Sequence, residues 1–347
     1  ALEEMKPCFL EGSRGTGKSM LLLSLRARTF LSRHKDHKGS EKIFGFYLKL
    51  SRGAVCNAGV MPCTGGDPKA ITEREVMQMT DIASQEIIVC LLESLFSEID
   101  FCFKQRIILC DQSAEKALVE SASSLLFGAS HNQLRTIEDL LDRLAATHRS
   151  IADFIRRKFI YGESPNVPIT TFDLDALKRV VKLVRRTIPG LHETMFVALL
   201  DEYENLFPYQ QRVVNSYVTL GPPDVSVKIA KKIGTGDTSG TMTRQELQET
   251  HDYTRLPLVY DVEDSAQLSA YNQLLTHITQ NILANEGFPF EEMATLLPEA
   301  ACDEVDPEEL LASVAKLCKV SDKTFKIWPA AKQKVKLTYY REAATYR

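Results

Sequence analysis

The sequence lacks the long apolar runs of a membrane protein. None of its 347 residues lies in a stretch as long as the roughly 18 consecutive apolar residues that a membrane-spanning helix needs. The amino terminus also lacks the basic-then-apolar layout of a secretory signal. We therefore expect a cytoplasmic protein that makes no membrane contact. A chain of this length with 44% hydrophobic residues can still bury a substantial core.

Recognisable metal and nucleophile motifs are also missing. Of the eight cysteines, only Cys56 and Cys63 form a close pair in a loop-like stretch, and no second pair completes a zinc site. Cys90, Cys102 and Cys110 lie in apolar runs, where a cysteine behaves as a small hydrophobic residue. The histidines form no ligand pattern, and no G-x-S-x-G nucleophile motif occurs. The sequence thus predicts neither a zinc knuckle nor a serine hydrolase.

Basic residues are absent from a long carboxyl-terminal segment. Residues 256–315 contain no Lys or Arg although the net charge of the whole chain is only −4, and acidic residues accumulate there. Such a segment would repel nucleic acid and could dock a basic protein surface. An ordinary solvated acidic face is an equally good interpretation.

The octet GSRGTGKS is what the sequence does contain. It fits the pattern G-x-x-x-x-G-K-[ST] through Gly12, Gly17, Lys18 and Ser19, between a strand-like apolar run and a helix built on Met20, Leu21, Leu22 and Leu25. Glycines let backbone N–H groups turn toward a polyphosphate, the lysine reaches the β- and γ-phosphates, and the serine hydroxyl binds Mg²⁺. The predicted ATP-binding residues are Gly12, Ser13, Arg14, Gly15, Thr16, Gly17, Lys18, Ser19 and Met20.

A second acidic element is needed on a neighbouring strand. Met195 to Leu200 form an apolar run typical of a strand buried on both faces, and Asp201 and Glu202 follow it. We expect Asp201 and Ser19 to hold Mg²⁺, and Glu202 to orient and polarise the attacking water. Lys18, Asp201 and Glu202 are the predicted catalytic residues. An acidic turn after a core strand is the alternative.

The remaining pattern alternates strands with helices, which predicts an α/β fold with a mostly parallel sheet and helices on both faces. Lys18 and Asp201 are unusually far apart in sequence, and the mostly helical stretch between them predicts an inserted subdomain. The predicted division is a first part of an ATPase core over 1–104, a helical insertion over 105–168, a second part of the core over 169–263, and a helical lid with the start of a truncated region over 264–347. The first residue, Ala1, and the helix-like end at Arg347 suggest a fragment of a longer protein.

The two motifs together resemble a known group. FLEGSRGTGKSMLL with FVALLDEYENL resembles the AAA+ P-loop ATPases of the origin-recognition-complex type and the related signal-transducing STAND ATPases. DEYENL followed by PYQQRVVNSYV is similar to uncharacterised bacterial members, some of which look like components of antiviral defence systems. The resemblance implies a three-layer P-loop fold with a helical lid, Mg-ATP hydrolysis, assembly into homo-oligomers, and a protein partner or effector. It implies DNA contact only through regions beyond residue 347.

The resemblance is incomplete at two places. The family's polar sensor residue would fall on Ser226, Lys228 or Lys231, none of which is the expected Asn or Thr. No Arg occurs from Leu256 through Tyr340, where the family's lid arginine would lie. Either a lysine serves, a neighbouring subunit supplies an arginine, or hydrolysis is weak. The hypotheses are therefore an ATPase switch, a nucleotide-gated scaffold with little turnover that holds a partner protein, and a small-molecule kinase.

Overall fold

The computed structural model describes residues 4–33, 43–50, 73–128, 134–161, 163, 172–219, 225–234, 238–243 and 245–258. The chain divides into two units, residues 1–259 and 260–347, and every described residue belongs to the first. The predicted lid, the acidic segment beyond Leu258 and the Cys56–Cys63 pair therefore lie outside the described residues.

Five strands form one sheet. They are β1 (Cys8–Gly12), β2 (Ile43–Lys49), β3 (Met195–Asp201), β4 (Val225–Lys232) and β5 (Thr254–Pro257). The order across the sheet is β2-β3-β4-β1-β5, and every pair is parallel. Strand β3 is buried along its whole length, as its apolar run predicts.

Seven α-helices connect and cover the strands. They are α1 (Lys18–Ser24), α2 (Ala27–Arg33), α3 (Glu73–Lys104), α4 (Gln112–Phe127), α5 (Ile137–Ile155), α6 (Leu174–Thr187) and α7 (Pro208–Thr219) among the described residues. A side-chain oxygen caps the amino end of three of them, from Asp111, Thr136 and Asp173. Helix α5 continues into a π-helical turn, Arg156–Ile160. None of the described helices is long and apolar enough to cross a membrane.

The two faces of the sheet support two separate apolar cores. Along β3, Phe196, Ala198 and Leu200 belong to the larger core, which also contains residues of α3 to α7. The residues of β3 that alternate with these pack on the other face of the sheet, together with Leu22 of α1 and Leu25, which follows α1. The part of the chain that the structure describes is thus a three-layer α/β sandwich with a parallel sheet, which confirms the predicted fold class for that part.

Helices α4 and α5 lie within the predicted insertion. Buried residues of both helices, such as Leu118, Leu140 and Leu144, belong to the same core as α3 and α6. The division of the chain into core and insertion stays a prediction.

The structure differs from the sequence-based expectation after the loop and at the last strand. The helix ends at Ser24, and Arg26 then forms a β-bridge with Gly45; Met20, expected on the apolar face of the helix, is 61% exposed. The apolar run LPLVYDV predicts a last strand that begins at Leu256, whereas β5 begins two residues earlier, at Thr254, which pairs with Cys8 in register.

A glycine is required at position 45 because the backbone at Leu25 passes very close to β2 there. A Cβ atom there would lie 2.2 Å from the carbonyl oxygen of Leu25 and 2.7 Å from Leu199 Cδ1. We expect Gly45→Ala to lower the free energy of unfolding by about 3 kcal/mol, because β2 or the α1–α2 junction must move. Urea denaturation measures this.

Gly190→Ala is the matched control. Its added Cβ would meet its nearest atom, Ile108 Cγ2, at 3.6 Å, which is an ordinary contact. Its effect should stay within about 0.5 kcal/mol. Equal denaturation midpoints for the two variants would contradict the assigned packing of Gly45.

Candidate functional site

The predicted site residues gather at the carboxyl edge of the sheet. Gly12, the last residue of β1, pairs with Lys232 of β4, and Leu200 of β3 pairs with Ile229 of β4. Strand β4 therefore lies between the loop-bearing strand and the acidic strand, where the sequence analysis expected direct neighbours. Two strand spacings separate β1 from β3, about 10 Å. That gap leaves room between the two motifs.

The loop between β1 and α1 has the backbone of a phosphate cradle. Gly15 and Gly17 adopt φ values of 86° and 84°, which only glycine adopts readily. A Cβ atom at either position would meet no atom of the described residues within 4 Å, so this side of the loop is open. The Lys18 ammonium donates hydrogen bonds of 2.7 Å to the carbonyl oxygens of Gly12 and Ser13. The Lys18 side chain thus bends back over the loop that precedes it.

Two acidic residues influence the charge of the Lys18 ammonium group. Partial burial lowers the pKa of Lys18, while the charges of Glu204 and Asp201 act in the opposite direction. The strand register also puts the loop and the acidic strand at the same edge of the sheet. Ser19, the predicted metal ligand on α1, is exposed, and so are Ser13 and Arg14.

Asp201 ends β3 and is buried, with 2% of its surface exposed. The Tyr47 hydroxyl donates to its Oδ2 at 2.7 Å, and the Glu202 N–H donates to its Oδ1 at 2.9 Å. Burial raises the pKa of the Tyr47 phenol most, and the hydrogen bond to Asp201 raises it further. The Tyr47 hydroxyl therefore remains a donor at neutral pH. Each carboxylate oxygen keeps a second lone pair. Asp201 can therefore still accept a metal ion or a water.

Glu202 has a strained backbone and an anchored side chain. Its φ of 61° and ψ of 41° lie in the left-handed region, which costs a non-glycine residue about 1–2 kcal/mol. Its Oε1 lies 3.1 Å from the Lys49 ammonium on β2, and the Asn205 amide donates to Oε2 at 3.0 Å. Backbone strain of this kind is often found at functional sites.

The three sensor candidates all lie on β4 but at different levels. Lys228 pairs with Cys8, about 13 Å along β1 from Gly12, and Ser226 lies further back. The buried Lys228 ammonium donates to the carbonyl oxygens of Glu4 and Lys6, and burial lowers its pKa to about 8. Lys231 is level with Glu11 and lies 3.0 Å from its carboxylate. Only Lys231 is close to the loop.

Sequence reasoning missed Glu204, Tyr47 and Lys49 at this edge. Glu204 accepts a hydrogen bond from the backbone N–H of Lys232, and both charges act on Lys18. Its spacing of three residues from Asp201 could have indicated it. Tyr47 and Lys49 gave no such signal, because their contacts with Asp201 and Glu202 depend on how β2 pairs with β3.

Comparison with known proteins agrees with the motifs. A model of the ORC-CDC6-like family matches residues 1–342. No curated protein and no solved structure matches the chain. The match spans nearly the whole chain and includes the loop, the acidic strand and all five strands of the sheet. The chain belongs to the ORC-CDC6-like family of AAA+ P-loop ATPases.

Proposed function

We propose that the protein binds Mg-ATP at the Gly12–Ser19 loop and hydrolyses it, and that it acts as an assembly or signalling switch. One observation carries the proposal. The loop with its two positive-φ glycines and Lys18 lies at the same edge of the sheet as Asp201 and Glu204. A phosphate cradle alone would bind an anion, whereas a cradle with adjacent carboxylates suits an anion that binds together with a cation.

The residues present fit both nucleotide and metal. Backbone N–H groups of the loop and the Lys18 ammonium would bind the β- and γ-phosphates once Lys18 leaves the Gly12 and Ser13 carbonyls. Ser19 and Asp201 would hold Mg²⁺, directly or through water. The bound Mg²⁺ would neutralise the charge that develops on the phosphates.

Glu202 is the proposed base. Its carboxylate would orient a water and accept its proton as the water oxygen attacks the γ-phosphorus in line, while the bond from that phosphorus to the bridging oxygen breaks and ADP leaves. Lys49 on β2 contacts one oxygen of that carboxylate and Asn205, just after β3, contacts the other, so the two residues set its position. Proton transfer would require this carboxylate to face the water rather than Lys49.

The same contacts favour a second candidate, a nucleotide-gated scaffold with little turnover. Both oxygens of Glu202 have partners, and no arginine occurs from Leu256 through Tyr340 to complete the site from the lid. In either case we propose a homo-oligomer with a protein partner. A role in antiviral defence and DNA contact through regions outside this chain stay predictions from the resemblance.

Replacing the cradle lysine tests binding. Lys18→Ala should weaken Mg-ATP affinity by about 10- to 100-fold, since hydrogen bonds to a charged group contribute about 1.5–3 kcal/mol. Isothermal titration calorimetry measures the change. Lys116→Ala, an exposed lysine on α4, is the control and should bind as wild type. Unchanged affinity in Lys18→Ala would refute the placement of ATP at this loop.

Replacing the proposed base separates the two candidates. Glu202→Gln should keep ATP affinity within about twofold but lower phosphate release at least about 100-fold, because general-base catalysis contributes that much. Glu193→Gln, an exposed acid before β3, is the control. Wild-type turnover that rises with protein concentration would indicate an arginine from a neighbouring subunit. If wild type and Glu202→Gln both bind ATP and are equally inactive, the scaffold is correct and hydrolysis is not.

A further inference from the structure

A cluster of metal-ligand side chains lies between α3 and α5, outside the nucleotide site. Glu86, Cys90 and Glu93 are spaced at i, i+4 and i+7 on α3, so they share one face of that helix. His148 on α5 faces them. The ligand atoms of Cys90, Glu93 and His148 all lie within 4.8 Å of one another.

The distances match the edges of a zinc coordination shell. His148 Nε2 lies 3.7 Å from Cys90 Sγ and 3.5 Å from Glu86 Oε1. In a tetrahedral site with ordinary Zn–S, Zn–N and Zn–O bonds, donor atoms are about 3.6 Å apart for S and N and about 3.3 Å for N and O. The separation of the Cys90 sulfur and the His148 nitrogen is thus already close to the one that a shared metal ion would impose.

The donor set selects the type of ion. A thiolate and an imidazole suit borderline or soft divalent ions such as Zn²⁺, whereas Mg²⁺ and Ca²⁺ prefer oxygen ligands. Cys90 and Glu86 are buried, and the His148 side chain is 23% exposed, which gives an ion a route from solvent. Glu86 and Glu93 supply negative charge at the site. The positive charge of Arg149 acts on Glu93 in the opposite sense.

We propose that Cys90, Glu93 and His148 form a binding site for a divalent transition-metal ion of the zinc class, and that Glu86, which lies 3.5 Å from His148 Nε2, supplies negative charge beside it. The ion would link α3 to α5 and hold α5 against the core. The alternative is that a protonated His148 simply forms an ion pair with the buried Glu86. The two accounts differ in whether Cys90 and Glu93 bind an ion.

Sequence reasoning found no metal site because the ligands are distant in the chain. His148 lies 58 residues after Cys90, and Cys90 falls in an apolar run that suggested a hydrophobic role. Only the packing of α5 on α3 brings the three side chains together.

Cobalt titration of the full chain tests the proposal. The protein is stripped with a chelator, exchanged into buffer with millimolar Mg²⁺ and no nucleotide, and titrated with Co²⁺. We expect one equivalent to bind with a thiolate-to-cobalt charge-transfer band in the near ultraviolet, and Zn²⁺ to displace it. The excess Mg²⁺ occupies sites made only of oxygen ligands.

Matched variants locate the ion. Cys90→Ala should lose the charge-transfer band, while Cys102→Ala, another buried cysteine on α3, should keep it. His148→Gln should weaken Co²⁺ binding at least about tenfold, and the exposed His192→Gln should not. If Cys90→Ala does not fold, as judged by circular dichroism, His148→Gln decides, because the His148 side chain is partly exposed.

Two outcomes would overturn the proposal. One is a wild-type protein that shows no charge-transfer band at millimolar Co²⁺. The other is a band of equal strength in wild type, Cys90→Ala and His148→Gln, which would assign the ion to other cysteines.

Discussion

The parallel register of β4 with its two neighbours is the constraint on which the candidate site depends. It aligns Gly12 with Lys232 and Leu200 with Ile229, so the loop after β1 and the acids after β3 emerge at the same edge, one strand apart. The pairings on either side of Glu11 reinforce this alignment, since its carboxylate lies 3.0 Å from Lys231 on β4 and 3.4 Å from Arg255 on β5. A slip of β4 by one residue would turn its side chains to the opposite face and displace both motifs.

Strand β2, at the far edge of the sheet, controls the acidic side of the site. Its Tyr47 donates to Asp201, and its Lys49 pairs with Glu202. These contacts hold the two carboxylates in different surroundings: Asp201 is buried and keeps lone pairs for a metal, while Glu202 is half-buried and engaged by a lysine and an amide. Under the proposed function, this acidic pair would supply two roles, a metal ligand and a general base.

Much of the fold and part of the site could be predicted from the sequence. The apolar run Met195–Leu200 and the glycine pattern from Gly12 are local signals, and the structure contains β3 and the glycine-turned loop where they indicated. The break between α1 and α2 could not be predicted, because it depends on the contact of Arg26 with Gly45 in a distant strand. The same reason hid Tyr47, Lys49 and the cluster around His148. Local spacing encodes motifs, whereas strand register and helix packing determine which residues meet.

The most direct test of the account is a crystal structure of the protein with Mg²⁺ and a non-hydrolysable ATP analogue. The account predicts the β- and γ-phosphates on the loop N–H groups, the Lys18 ammonium moved from the Gly12 and Ser13 carbonyls to the phosphates, and Mg²⁺ beside Ser19 and Asp201. A nucleotide bound elsewhere, or Lys18 still bonded to its own loop with no phosphate against it, would contradict the central claim that this loop is the site of ATP binding.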